Sequence, residues 1–378
     1  MIRFLGSLLV FFAFGATKGL AASSSHASEL HHFHVEEVVG GLSHPWSIVF
    51  LPDGEVLVSE RPGRLRLIRD GRLESIPVRG LPRIDPNGQG GLLDLALHPD
   101  FAENRWLYFS YVDRTSAGFT TNMARGRYLD GRLTEVQVLF TAFPRSSGGR
   151  HFGGRIVFDA AGYVYLSIGD RGQMERAQDF SDHAGSIIRL HDDGRIPADN
   201  PFADEADMKP EIYATGTRNA QGMAMHPLSG EIWMQEHGPR GGDEVNRLIA
   251  GANYGWPKAT HGIDYDGSTI TPHTELPGME SPLWHWTPSI APSGMLFYAG
   301  DMFPHWQNQL FIGALRGQLI SRLETSQDEM GQWQVQEVEQ FFEGQSRIRD
   351  IRQAPDGSIW VLTDHNPGQV LRLIPVLP

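Results

Sequence analysis

One β-hairpin is written six times along this chain, and that repetition constrains the fold more than any other feature of the sequence. The copies are SIVFLPDGEVLVSE (47–60), DLALHPDFAENRWLYFSYV (94–112), RIVFDAAGYVYLSIGD (155–170), GMAMHPLSGEIWMQEHG (222–238), GMLFYAGDMFPHWQNQLFIGAL (294–315) and DIRQAPDGSIWVLTD (350–364). Each joins two β-rich apolar runs through a turn of Pro, Gly, Asp or Asn. A spacing of about 45 to 70 residues leaves room for two more strands per copy, which predicts four-stranded antiparallel blades. Six such units predict an all-β, six-bladed β-propeller over residues 23–378, with no linker dividing it. A β-sandwich gives no reason for the repeated unit. Outer strands are readable in GRLRLI (63–68) and QVLRLI (369–374).

In an antiparallel hairpin the start of the first strand and the end of the second lie at the same edge. His151 precedes the first strand of the third copy and Asp170 follows its second, so both are expected on one rim. Other copies put Gln89, Arg218, Asn219, Gln221, Ser289, Ser293, Arg347 and Arg349 before the first strand. Glu236, His237, Arg316 and Asp364 come after the second. Closure of the ring brings these positions around one mouth of the central channel.

The charge of the 378-residue chain is −13, which argues against nucleic acid, a partner that needs a basic face. The start, MIRFLGSLLVFFAFGATKGLAA, reads as a secretory signal over residues 1–22, with Arg3, an apolar run Leu5–Ala16 and small residues near Ala21. A membrane anchor is the competing reading. The apolar run is short for a span and Lys18 interrupts it. The mature protein is therefore expected to be periplasmic or secreted, without stable membrane insertion. The absence of cysteine rules out disulfides even there.

Against this frame, His151 and Asp170 are a candidate general base and its orienting carboxylate, or else a loop histidine beside a capping aspartate. The rim arginines 218, 316, 347 and 349 suit an anionic ligand bearing several carboxylates or phosphates, or else they pair with neighbouring acids. QEHGPRGGDEVNRLIAGANYGWP (235–257) offers carboxylates and a Gly-Pro bend whose carbonyls cannot all serve sheet pairing. These are hard oxygen ligands suited to Ca²⁺, although the spacing is not that of an EF-hand and an ordinary turn explains it equally. No P-loop, dinucleotide fingerprint, zinc-protease motif or nucleophile elbow is present.

Five segments, GQGGLLDLALHPDF, HFGGRIVFDAAGYVYLSIGDRG, ATGTRNAQGMAMHP, EHGPRGGDEVNRLIAGANYGWP and RIRDIRQAPDG, occur in the order found in one family. Together they make the chain resemble the soluble, pyrroloquinoline quinone (PQQ)-dependent glucose dehydrogenases, especially their bacterial aldose sugar dehydrogenase branch. The resemblance implies a propeller binding PQQ and Ca²⁺ at its mouth. It implies that His151 is the base, Asp170 its support, Arg218 and Asn219 neighbours of the quinone, and Gln89 a neighbour of the substrate. Arg347 and Arg349 match the pair that grips PQQ carboxylates, and Arg316 stands where the glucose dehydrogenase has a lysine. The carbonyls of Gly238 and Pro239 match the cofactor-bound calcium site, with Asp243 close by, and Glu244 and Tyr254 fall where some members hold a second calcium. His237 replaces a glutamine, and Thr287 falls at an aromatic pocket position, which implies a more open mouth and broader aldose acceptance.

The activity so implied is oxidation of an aldose at its anomeric carbon to the lactone. Hydride passes to PQQ, and the electrons go on to an external acceptor. Two rivals use the same fold. A calcium-dependent lactonase or esterase predicts a carboxylate-rich mouth instead of an arginine-rich one. A non-catalytic glycan-binding propeller gives no reason to align His151 with Asp170.

Overall fold

The structure, a computed structural model, describes residues 24–376, so the signal expected at 1–22 lies outside the described residues. Its strands form six antiparallel sheets, five of four strands and one of five. The six hairpins are the inner pairs of these sheets. They are Pro45–Phe50 with Val56–Glu60, Leu92–Leu97 with Trp106–Thr115, and Ile156–Phe158 with Val164–Ile168. The others are Ala220–Met225 with Ile232–Glu236, Pro292–Phe297 with Leu310–Ala314, and Ile348–Gln353 with Ile359–Thr363. The six first strands touch one another in cyclic order, the last returning to the first. That closed ring is the six-bladed propeller expected from the repeat.

The turns explain why the repeat folds locally. In the third copy Asp159 Oδ1 accepts the N–H groups of Ala161 at 3.0 Å and Tyr163 at 2.9 Å, and Gly162 takes the left-handed conformation at φ 86°. An aspartate closing its own turn and a glycine free of Cβ strain commit the chain to a hairpin. Asp53 and Asp356 bind the N–H two residues on in the same way, at 3.2 and 2.9 Å. The core lies between blades: Trp106, Tyr108 and Met123 of the second pack on Ile156, Val164 and Leu166 of the third. A blade covered on both faces has no polar side, hence the continuous apolar runs.

Ring closure was not visible in the hairpins. Strand His32–Leu42 pairs antiparallel with Gly368–Pro375, so the two ends of the chain complete one blade, and Ser24–Ala27 adds a fifth strand outside it. The segments 63–68 and 369–374, expected as outer strands, correspond to third strands of their blades. Outside them lie Arg72–Leu73 and His32–Leu42 respectively. They read as strongly apolar because third strands are still covered, as in Leu65–Ile68. Phe33 is fully buried against Trp306 and Phe341, which anchors the closing strand.

Within the ring of inner strands, Arg155 and Arg352 meet Asp94 and Asp350 at 2.9 to 3.2 Å. Asp94 also accepts Ser47 Oγ at 2.6 Å and the Ile156 N–H at 2.7 Å. Equal numbers of opposite charges make this buried network neutral, the condition under which burial is tolerated. No helix among the described residues is long and apolar enough to cross a membrane.

Candidate active site

The third blade brings His151 and Asp170 together, with Nδ1 2.6 Å from Asp170 Oδ1. A carboxylate only accepts, so Nδ1 carries the proton and Nε2 holds a lone pair. The same aspartate accepts the Gly172 N–H at 2.7 Å and the Trp256 indole N–H at 2.9 Å. Burial pushes the Asp170 carboxyl up, but the His151 hydrogen bond and charge, Arg218 and the Gly172 N–H outweigh it and hold the group below its usual range. Burial lowers the His151 pKa, Asp170 opposes it, and Arg218 and Arg150 add to the lowering. The pair is thus a neutral imidazole on an ionised carboxylate, the resting state of a general base.

The backbone of this histidine is equally constrained. His151 adopts φ 52°, uncommon for a side-chain-bearing residue, and its N–H donates to Gln89 Oε1 at 2.7 Å. Gly169 allows the approach, since a Cβ there would lie 2.3 Å from the His151 carbonyl oxygen.

A cavity of about 230 Å³ is lined by Phe152 and Gly153, next to His151 in the chain, though not by His151, Asp170 or Arg218; its walls include Arg61, Arg347 and Arg349 but only one carboxylate, Asp364. Arg349 Nη2 reaches Asp364 Oδ2 at 2.8 Å and Arg347 Nη2 at 3.4 Å, while Asp364 Oδ1 meets His44 Nδ1 at 3.1 Å. Burial pushes Asp364 up, yet Arg349, His44 and Arg61 hold it well below the usual carboxylate range. One buried donor, Arg349 Nε, has no partner. Three guanidiniums against one carboxylate, with an orphaned donor among them, suit a flat polycarboxylate. His237 also lines the cavity; burial and then Arg218 push it down to about 3, and its Nε2–H donates to the Pro292 carbonyl.

The fourth blade supplies oxygens. Arg218 Nη1 donates to the carbonyls of His237 and Gly238, each at 3.0 Å. Asn219 Oδ1 accepts the Gly153 N–H at 3.0 Å, tying this lead-in to the segment after His151. A carbonyl has two lone pairs, so Gly238 can still serve a cation. The four donors to Asp243 are the N–H groups of Gly238, Ile290 and Ala291 and the Ser289 hydroxyl, so it ties the Gly-Pro bend to the fifth blade. Glu236 and Glu244 flank a void of about 10 Å³, enough for one water or ion. Burial pushes Glu236 up to about 7, and burial with repulsion from Glu236 raises Glu244 well above its usual range. Two buried acids resisting ionisation can accept a cation, although among the described residues no group of three or more His, Asp or Glu is arranged to hold one.

Placement differs from the sequence reading at several positions. Arg316 is exposed beside Leu315, which lines the cavity while Arg316 does not. Gln89 lines the cavity and also holds the histidine backbone. The Tyr254 phenol donates to the Arg247 carbonyl at 2.6 Å and accepts the Ile249 N–H at 3.0 Å, although the residue borders the small void. Arg61 and Trp256 were missed. Arg61 follows the second strand of the first hairpin, the position that drew attention in other copies. Trp256 arrives on a loop and carries no such signal.

These features define a class: a propeller whose mouth sets a carboxylate-held imidazole beside an arginine-lined cavity. The sequence matches the glucose/sorbosone dehydrogenase family over residues 42–372. The chain belongs to that family, and with it to the oxidoreductases. It is 43% identical over 351 residues to aldose sugar dehydrogenase YliI of Escherichia coli, covering 90% of this chain and 93% of that one. To quinoprotein glucose dehydrogenase B of Acinetobacter calcoaceticus it is 26% identical over 429 residues, covering 91% and 88%. A solved structure of the PQQ-bound aldose sugar dehydrogenase from Streptomyces coelicolor superposes with a TM-score of 0.72 at 27% identity, covering 94% and 98%.

Proposed function

We propose that this protein oxidises aldoses at the anomeric carbon to lactones, using PQQ and Ca²⁺ and passing the electrons to an external acceptor. The observation that carries this reading is a neutral, carboxylate-held His151 whose chain neighbours Phe152 and Gly153 line a cavity with an excess of guanidinium charge. PQQ, when bound, supplies the two-electron acceptor, and calcium supplies Lewis acidity.

The chain's own residues do the rest. His151 Nε2 takes the proton of the anomeric hydroxyl, and Asp170 stabilises the imidazolium that forms. Arg347, Arg349 and Arg61 would hold carboxylates of the cofactor, and Arg316 at the exposed rim adds positive charge. Arg218 and Asn219 bound the side where negative charge develops, and Gln89 keeps the base in place for the sugar. The carbonyls of Gly238 and Pro239 would hold the calcium of the cofactor site, and Glu244, with Tyr254, would hold a second calcium. Residues 23–378 form the propeller domain, delivered to the periplasm or medium after loss of 1–22.

The test is reconstitution. Purified protein plus PQQ and Ca²⁺ should acquire the absorption of the bound quinone and reduce a dye when given an aldose. A lactonase or a glycan-binding propeller does neither. Mass measurement of the exported form should find a chain beginning near Ser23, and a full-length cytoplasmic product sinks the export reading.

A further inference from the structure

The segment before His151 is held from one side by a residue that the proposed chemistry does not use. Arg171 is 4% exposed and follows Asp170 in the chain. Its Nη2 donates to the Gly148 carbonyl at 2.6 Å, its Nη1 donates to the Arg150 carbonyl, and its guanidinium carbon lies 3.4 Å from the centre of the Phe152 ring. The carbonyl between those two, Gly149, accepts the Gln89 N–H at 2.8 Å. Every carbonyl from 148 to 150 is therefore occupied, and Arg171 occupies two of the three.

The cost of that arrangement is informative. Arg171 donates to main-chain carbonyls and not to a carboxylate, and its Nε is buried with no partner. Burial and nearby Arg176 both work against its charge. Desolvating a guanidinium this way is unfavourable, and an apolar side chain would fill the same space without that cost. What an apolar side chain lacks is a planar fork able to fix two carbonyls at once while stacking on a ring. The two fixed carbonyls flank Gly149, immediately before a histidine held at φ 52°. Arg171 itself sits at φ 59°, so His151 and the residue after Asp170 both hold uncommon left-handed backbone conformations.

We propose that Arg171 is a positioning residue: by clamping 148–152 it keeps the His151 ring aligned with Asp170, without touching substrate or cofactor. This rests on the reading of His151 as the base. A displacement of about 1 Å in a reacting group is enough to cost roughly a hundredfold in rate, so the clamp is expected to appear in turnover and not in cofactor affinity.

The test compares Arg171→Lys, which keeps the charge but not the fork, with Arg171→Ala. In the apoprotein, amide exchange at 148–152 should accelerate in both variants while the strands of the third blade stay protected. The His151 imidazole, followed by NMR, should titrate lower than in the wild type, because the Asp170 hydrogen bond and charge that raise its pKa are weakened. With PQQ bound, reduction by sugar in a single turnover should slow about 10- to 100-fold, with cofactor affinity close to wild type. Added guanidinium should restore part of the rate in Arg171→Ala and none in Arg171→Lys, where the ammonium fills the site. Wild-type rate in both variants overturns the proposal. So does a rate loss matched by lost cofactor affinity and by exchange throughout the blade, which marks a general packing role. If the wild-type protein oxidises no sugar, the proposed function fails, and the exchange and titration results still decide whether Arg171 holds this segment.

Discussion

The two sides of the mouth are built on opposite principles. On the third blade, Asp170 is saturated and His151 is held at every point but Nε2: the carboxylate receives His151, Gly172 and Trp256, and the histidine backbone N–H is held by Gln89. On the first and sixth blades, Arg347 and Arg349 share the carboxylate of Asp364, Arg61 lines the same cavity, and Arg349 keeps a buried donor without a partner. The first region is complete as it stands; the second carries more positive charge than the protein neutralises. A site that must move a proton needs its groups fixed in advance. A site for a polyanion would need charge held in reserve, and here Asp364 holds Arg347 and Arg349 in place.

The sharpest way to break this comparison is to remove the base. His151→Gln should lower single-turnover reduction of bound PQQ by sugar roughly 10²- to 10⁴-fold, the usual worth of general-base catalysis, while PQQ titration stays near wild type. A wild-type rate would move the base elsewhere. Asp170→Asn tests the support: an amide can present its N–H to Nδ1 and favour the wrong tautomer, so a loss of about 10²-fold is expected in the same assay. Equal rates for variant and wild type would reduce Asp170 to a structural role.

On the other side, Arg349→Met should weaken PQQ binding by about 1–3 kcal/mol, the scale of a charge-assisted hydrogen bond that is lost. Arg347→Met should cost less, because its side chain is 40% exposed against 8% for Arg349. Titration of apoprotein with PQQ reads both, and the reverse order would mean that burial does not set the strength of this grip. The smallest effect concerns pH. Because the His151 pKa is lowered from 6.5, the base is already neutral at pH 7. The single-turnover rate should therefore rise less than about 1.3-fold from pH 7 to 8 and fall only below pH 6.5, as protonation removes the acceptor lone pair. An acid limb centred at or above pH 7 contradicts the neutral resting state.

The legible part of the site followed the legible part of the fold. His151 and Asp170 could be paired from sequence because both flank one hairpin, and antiparallel pairing puts such positions at one edge. The same rule applied to the first hairpin points to Arg61, which was passed over, although it lines the cavity with Arg347 and Arg349. Arg316 shows the limit of the rule. It follows a second strand as Asp364 does, yet Leu315 faces the cavity and Arg316 faces solvent, because a rim position does not specify side-chain direction.

Local chemistry, then, was enough for the hairpins and their number: an aspartate that closes its own turn and a glycine that accepts positive φ act over a few residues, and the copies can be counted. Membership of the His151–Asp170 pair followed, since it depends on one antiparallel contact. Three things were decided by packing across distant segments. The strand 32–42 closes the blade begun by the C-terminal strands, Trp256 comes from a loop to hold Asp170, and Arg171 turns back onto the carbonyls that precede His151. Each joins groups whose separation along the chain, or whose side-chain direction, leaves no periodic trace in sequence, and only the closed ring brings them within hydrogen-bonding distance.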